Sequence, residues 1–280
     1  MAAPVMMDRR VNTRSAIPPR QAGGLLDRYG PWAVVTGASS GIGRAFAERL
    51  AQAGFSLILV ARHNDTLQAV AAELNAHYDT VCHCVPSDLS QSGSASQLLA
   101  QTEGREVGLL VAAAGYGSSG PFLDSDLANE RSMIDVNCGA VSELAHLYGQ
   151  SMRARGRGAI ILMSSLVAFQ GVPRSANYAA TKAFVQVLGE GLRPELRPFG
   201  IDVLAVAPGP IQSGFADRAG MTMSMSQGPD VVAVQALAAL GRTGTVRPGW
   251  LSKLLEAGLA PLPRRLRTRI MQQVMAGMTP

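Results

Sequence analysis

The chain has 280 residues, 47% of them hydrophobic, and a formal net charge of +5. That is ample material for one large buried core, with disorder expected only at the ends. The charge also sits at the ends: residues 1–20 carry +3 and residues 261–280 carry +4, so the body is at −2, which argues against a basic nucleic-acid groove.

No uninterrupted apolar run approaches the roughly 18 residues that a transmembrane helix needs. Residues 1–28, Arg-rich and lacking the apolar stretch of a secretion signal, are expected to form a loose tail. Residues 29–250 read as a single α/β domain and 251–280 as a helical extension. Three cysteines cannot build a disulfide framework. Cys82 and Cys84 share one face of an expected strand and read as buried thiols in a reducing cytoplasm, with no metal.

The ordered part opens with an apolar strand at 32–36, WAVVT. It runs into Gly37-Ala38-Ser39-Ser40-Gly41-Ile42-Gly43 and then an alanine-rich helix to about Ala53. A glycine turn between a strand and a helix cradles a pyrophosphate, because bare backbone approaches closely and the helix N-terminus offers free N–H groups. Phe55 to Ala61 is the second strand and closes a βαβ unit. Dinucleotide folds place an acid at its end for a ribose 2′-hydroxyl, or an arginine nearby for a 2′-phosphate. Here Ala61 and Arg62 stand there with no acid, which favours NADP(H) over NAD(H); the competing reading is an ordinary surface arginine.

A helix over 64–77 and a strand over 80–85 lead to Asp88, which reads either as an adenine contact or as a turn-capping residue. A helix at 94–103 and a strand at 107–112 precede Ala113-Ala114-Gly115-Tyr116-Gly117, small residues that let a ribose lie against backbone. Residues 126–155 read as one long helix holding Asn137, either a kink or a polar device in the core.

The strand at 158–164 delivers Ser165, and the helix at 176–197 carries Tyr178 and Lys182 on one face. Lys182 is one of only two lysines, so a tyrosine paired with it four residues away is an uncommon coincidence. A strand-end hydroxyl facing a phenol and an ammonium can grip one carbonyl oxygen. A strand at 200–206 ends at Pro208-Gly209-Pro210-Ile211-Gln212-Ser213. The loop at 214–228, with Met221, Met223 and Met225, reads as an adaptable lid or as a loop packed on its own protein. A helix at 229–241, a short strand at 244–247 and helices at 249–259 and 262–277 complete the chain. Leu266, Ile270, Val274 and Met278 form a stripe expected to pack first on the body, then on a partner subunit, and last on a membrane surface.

Taken together, these motifs resemble the short-chain dehydrogenase/reductase family in its compact branch, over about residues 30–250. The resemblance rests on Thr36 to Gly43, Tyr178-Ala179-Ala180-Thr181-Lys182 with Ser165 and Asn137, Asp88-Leu89, and Pro208 to Ser213. It implies a Rossmann-type doubly wound parallel sheet in three α/β/α layers, and a hydride exchange between nicotinamide and a carbonyl or alcohol, here a hydrophobic one. Asn137, Ser165, Tyr178 and Lys182 would be catalytic. Gly37, Ser39, Ser40, Gly41, Ile42, Gly43, Arg62, Asp88, Leu89, Ala112, Ala114, Gly115, Pro208, Gly209, Ile211 and Ser213 would hold the cofactor. Ala112-Ala113 departs from the family's Asn-Asn, so a different local hydrogen-bond network is expected. A homodimer or homotetramer, paired through the long helices, is implied as well. The rival readings are a nucleotide-sensing regulator without chemistry and an NAD-dependent alcohol dehydrogenase working in the oxidative direction.

Overall fold

The computed structural model describes residues 19–220 and 226–277. Its centre is a seven-stranded, wholly parallel sheet in the order β3-β2-β1-β4-β5-β6-β7. The strands are β1 (Trp32–Thr36), β2 (Ser56–Ala61), β3 (Cys82–Pro86), β4 (Val107–Ala112), β5 (Gly158–Met163), β6 (Ile201–Val206) and β7 (Thr245–Val246). The order reverses between β1 and β4, so the crevice at their carboxyl ends is where a dinucleotide fold binds its ligand.

Strand alternation sorts the apolar residues into two cores. Ala33, Val35, Leu109 and Val111 pack beneath α2 (Gly41–Gln52), α3 (Asn64–His77) and α9 (Pro229–Ala239). Val34, Leu110 and Ala112 face α4 (Ser94–Gln101), α6 (Val141–Arg155) and α7 (Ala176–Leu196) on the other side. A sheet covered on both faces explains why its strands read as continuous apolar runs. β3 is the edge strand, so Cys82 and Cys84 are only half-buried, not fully so as expected. Burial still pushes both thiols above their ordinary pKa.

Two expectations need correction. The loose tail assigned to 1–28 instead contains helix α1 (Pro19–Tyr29); residues 1–18 lie outside the described residues. Tyr29 is buried and donates to Asp202 on β6 at 2.9 Å, and Arg28 pairs with the same carboxylate at 2.7 Å. The main chain of Tyr29 lies directly on β4: a Cβ added at Gly108 would meet the Tyr29 carbonyl oxygen at 1.3 Å. The helix expected over 126–155 is α5 (Leu127–Ile134), a π-helical turn over Asp135–Ala140, and α6. Asn137 sits in that π turn, and such turns concentrate at functional sites.

Tyr29→Ala should lower stability by about 3–5 kcal/mol in urea unfolding, whereas Tyr29→Phe, which keeps the ring, should cost about 1 kcal/mol. Unchanged stability in Tyr29→Ala would mean that α1 is only loosely attached.

Candidate active site

A cleft of about 920 Å³ opens at the carboxyl ends of the strands. One end is the turn after β1. A Cβ at Gly43 would stand 2.3 Å from the Gly37 carbonyl oxygen, so only bare backbone lets the helix start this close to the strand. Ser40 precedes α2 without capping it through its side chain, leaving the first N–H groups of the helix open to an anion. This donor set fits the pyrophosphate of a dinucleotide. Arg62, exposed just beyond β2, lines the same end.

Asp88 takes the turn-capping role weighed from the sequence. Its carboxylate accepts from Ser90 N at 3.1 Å, Ser90 Oγ at 2.9 Å and Gln91 Nε2 at 3.4 Å. These bonds, with Arg62 as a smaller contribution, hold its pKa below the usual value. Asp88 and Leu89 both line the cleft.

The other end is built by three successive residues at the end of β5 gripping α7. The Met163 carbonyl accepts from Lys182 Nζ at 2.9 Å. Ser164 Oγ donates to the Lys182 carbonyl at 3.1 Å. Ser165 hydrogen-bonds the Tyr178 hydroxyl and also accepts from Val167 N at 3.4 Å. Lys182 Nζ lies 5.8 Å from the centre of the Tyr178 ring. Ser165, Tyr178 and Lys182 thus meet at the wall of one cleft.

Burial dominates their electrostatics. Burial pushes the Tyr178 phenol up to about 12, with the Ser165 bond opposing that rise. Burial pulls the Lys182 ammonium down to about 8. Desolvation thus favours a neutral phenol and an easily deprotonated amine.

Asn137 is fully buried and does not line the cleft. Its amide donates to the Tyr116 carbonyl at 2.9 Å and to Thr181 Oγ1 at 3.0 Å, and its oxygen accepts from Tyr116 N at 3.1 Å. The side chain ties the loop after β4 to α7, with its amide N–H groups engaged in doing so. Ala112 is also corrected: alternation turns it into the core beneath α6, and Ala113 lines the cleft instead, beside Ala114 and Gly115. The stitching that an Asn-Asn pair would supply comes from Thr36, whose hydroxyl accepts from Ala114 N at 2.9 Å.

Pro208, Gly209, Ile211 and Ser213 line the cleft as expected. Three contributors went unread. Gly209 N donates at 2.8 Å to Ser252 Oγ, a buried hydroxyl on α10 (Trp250–Leu259) that no local pattern announces. Phe215, on the short helix α8 (Phe215–Ala219), packs on the Tyr178 ring with centroids 5.1 Å apart; an aromatic two residues past Ser213 was the available signal. The third is α11 (Arg264–Ala276), which buries Met275 against Val172 and Ala179 and turns Ile270 and Val274 into the cleft. The expected packing stripe is therefore displaced by one position: Leu266 is exposed and Met271 and Met275 do the packing. Met221, Met223 and Met225, like Met278, lie outside the described residues.

The profile of the short chain dehydrogenase family matches residues 31–223. The chain is 33% identical to a very-long-chain 3-oxoacyl-CoA reductase-like protein of Arabidopsis thaliana, over 89% of this chain and 82% of that one. It is 32% identical to a 7beta-hydroxysteroid dehydrogenase of Collinsella aerofaciens, over 66% and 70% respectively. A solved short-chain dehydrogenase from Sphingobium yanoikuyae in complex with NADPH superposes with a TM-score of 0.75 at 30% identity, covering 84% of this chain and 97% of that one.

Thr36→Val should strand the Ala114 N–H and cost about 1–3 kcal/mol of stability, with weaker nucleotide binding. Thermal melting with and without nucleotide reads both effects; a variant indistinguishable from wild type would assign the stitching elsewhere.

Proposed function

Because the chain belongs to the short chain dehydrogenase family, whose members are oxidoreductases acting on hydroxyl and keto groups, we propose that it is an NADP(H)-dependent reductase of a hydrophobic ketone. The single observation that carries this reading is the convergence of Ser165, Tyr178 and Lys182 on the cleft that also holds the glycine turn. NADP(H), when bound, supplies the hydride. The Gly37–Gly43 turn and the N-terminus of α2 hold its pyrophosphate, and Arg62, next to Ala61 at the end of β2 where an acid would bar a 2′-phosphate, pairs with that phosphate. Asp88 and Leu89 border the adenine, and Ala114 and Gly115 leave room for the ribose.

Lys182 spends one N–H on Met163 and has the others to offer a ribose hydroxyl and the Tyr178 oxygen. Ser165 hydrogen-bonds the substrate oxygen as charge develops there, and Tyr178 gives it the proton, so both interactions strengthen toward the transition state. The raised pKa of Tyr178 keeps it protonated at neutral pH, the state that reduction requires. Asn137 is a positioning residue: it fixes the Tyr116 loop to α7.

The apolar wall of Phe215, Ile270 and Val274 supports a hydrophobic substrate. Among the described residues no helix is long and apolar enough to cross a membrane. Phe184 and Val187 on α7 are exposed apolar side chains, which supports pairing with a second copy through that helix.

Tyr178→Phe should reduce turnover by about a thousandfold, in line with the loss of a general acid, while nucleotide binding stays near wild type; retained turnover would refute the assignment. Arg62→Asp should erode the preference for NADPH over NADH, and an unchanged ratio would make Arg62 a plain surface residue. NADPH binding to the free protein should weaken as pH rises through about 8, where burial brings the Lys182 ammonium to lose its proton. A flat profile across that range would remove the ammonium from the mechanism.

A further inference from the structure

Ser165 and Gln170 stand at the two ends of one short 3-10 turn, Leu166–Phe169. The turn is pinned at several points. Leu166 N donates to the Pro208 carbonyl at 3.0 Å, Ala168 N to the Ser165 carbonyl at 3.0 Å and Val167 N to Ser165 Oγ at 3.4 Å. Gln170 closes it from the far end: its Nε2 donates to the Leu166 carbonyl at 3.1 Å. That bond identifies the nitrogen, since only the N–H end of an amide can face a carbonyl, and so the other end is the oxygen. Among the described residues nothing donates to this oxygen.

Gln170 is 6% exposed and lines the cleft. Its oxygen is not sealed in the core, so it opens into the cleft. The end it faces is the apolar one. Phe169 precedes it and lines the same cleft. Gly171 follows it against α11, where a Cβ would meet Thr268 Oγ1 at 3.6 Å. Ile270 and Met271 of that helix line the cleft as well. A carboxamide in such a wall is costly without a partner, because a desolvated acceptor forfeits the hydrogen bond it had in water. Ligand pockets use a few such polar groups in an apolar lining to fix orientation. The amide offers an acceptor and the second N–H of Nε2, a pair that a hydroxyl group satisfies and an ether or a methylene does not.

We propose that Gln170 is a specificity-determining residue, and that the preferred substrate is a hydrophobic ketone carrying a hydroxyl group away from its carbonyl. Ser165 and Tyr178 take the carbonyl oxygen, and the hydroxyl donates to Gln170 Oε1. This rests on the reductase reading above. Because one pinned turn carries both Ser165 and Gln170, the two oxygens of the substrate stand at a fixed separation. Four residues at about 2 Å of rise each put the second grip on the order of 8 Å from the first. The hydroxyl therefore belongs one or more rings away from the carbonyl and not beside it.

The test compares, with NADPH, fused-ring ketones whose hydroxyl stands one, two or three rings from the carbonyl, each beside its methyl ether and its deoxy parent. At one of these positions the hydroxy ketone should be preferred over both in kcat/KM by about tenfold or more, because a site that hydrogen-bonds a hydroxyl rejects analogues lacking it. Gln170→Leu, similar in size and without the amide, should bring that ratio toward one, whereas a merely structural loss would lower all three compounds alike. Gln170→Met, unbranched like glutamine, is the second variant and should do the same. Equal turnover of the three compounds at every position would overturn the proposal. So would a ratio unchanged in both variants, or a tenfold loss of NADPH affinity in them, which would assign the amide to the cofactor. If no compound turns over, the reductase reading has failed, and calorimetry on the NADPH-loaded protein still decides this inference: tighter binding of a hydroxy ketone than of its deoxy parent upholds it, and equal binding or none overturns it.

Discussion

Holding a lysine ammonium inside the protein beside a tyrosine is the constraint on which the rest of the site depends. A buried cation is costly unless it is hydrogen-bonded. Lys182 is 6% exposed, and its Nζ donates to the Met163 carbonyl. The chain must bring that carbonyl, and the two serines after it, to one face of α7. Parallel pairing of β5 between β4 and β6 does so, and the π turn before α6 completes the enclosure by sending Asn137 to Thr181. Gly115 belongs to the same enclosure: a Cβ there would meet Asn137 Oδ1 at 2.9 Å and Lys182 Nζ at 3.3 Å.

The pKa directions follow from the same enclosure. Desolvation disfavours both charged forms, raising the phenol and lowering the ammonium. The pair is thereby poised as a proton donor and a weakly held cation, and a ligand that brings hydroxyl groups and charge into the cleft shifts both. The C-terminal extension is coupled to this pair. Met275 packs on Ala179, next to Tyr178, and Ser252 holds the backbone of Gly209. The segment beyond the core of motifs is therefore part of the cleft and not an appendage.

Much of this was legible in the sequence because it depends on local pattern. Apolar runs of strand length, glycines between strand and helix, and the four-residue spacing of Tyr178 and Lys182 survive without tertiary information. What was illegible depends on contacts distant in the chain. Helix α1 is stabilised by Asp202, 173 residues away from Tyr29. Ala112 was misplaced because a strand's last residue and the one after it point opposite ways, and the boundary decides which faces the cleft. The α11 stripe was displaced because two i+4 rows run side by side on one helix, and only the body decides which is buried. Arg62 and Asp88 both line the cleft, but the Asp88 carboxylate is engaged by Ser90 and Gln91, which residue type alone does not reveal.

The most direct measurement follows the hydride itself. NADPH carrying deuterium at the nicotinamide C4 would be incubated with a hydrophobic ketone and the alcohol analysed by mass spectrometry. The account predicts deuterium on the former carbonyl carbon in the wild-type protein, and none in Tyr178→Phe over the same time. Alcohol formed without deuterium from either C4 position, or NADPH bound tightly and recovered unchanged from every ketone supplied, would contradict it.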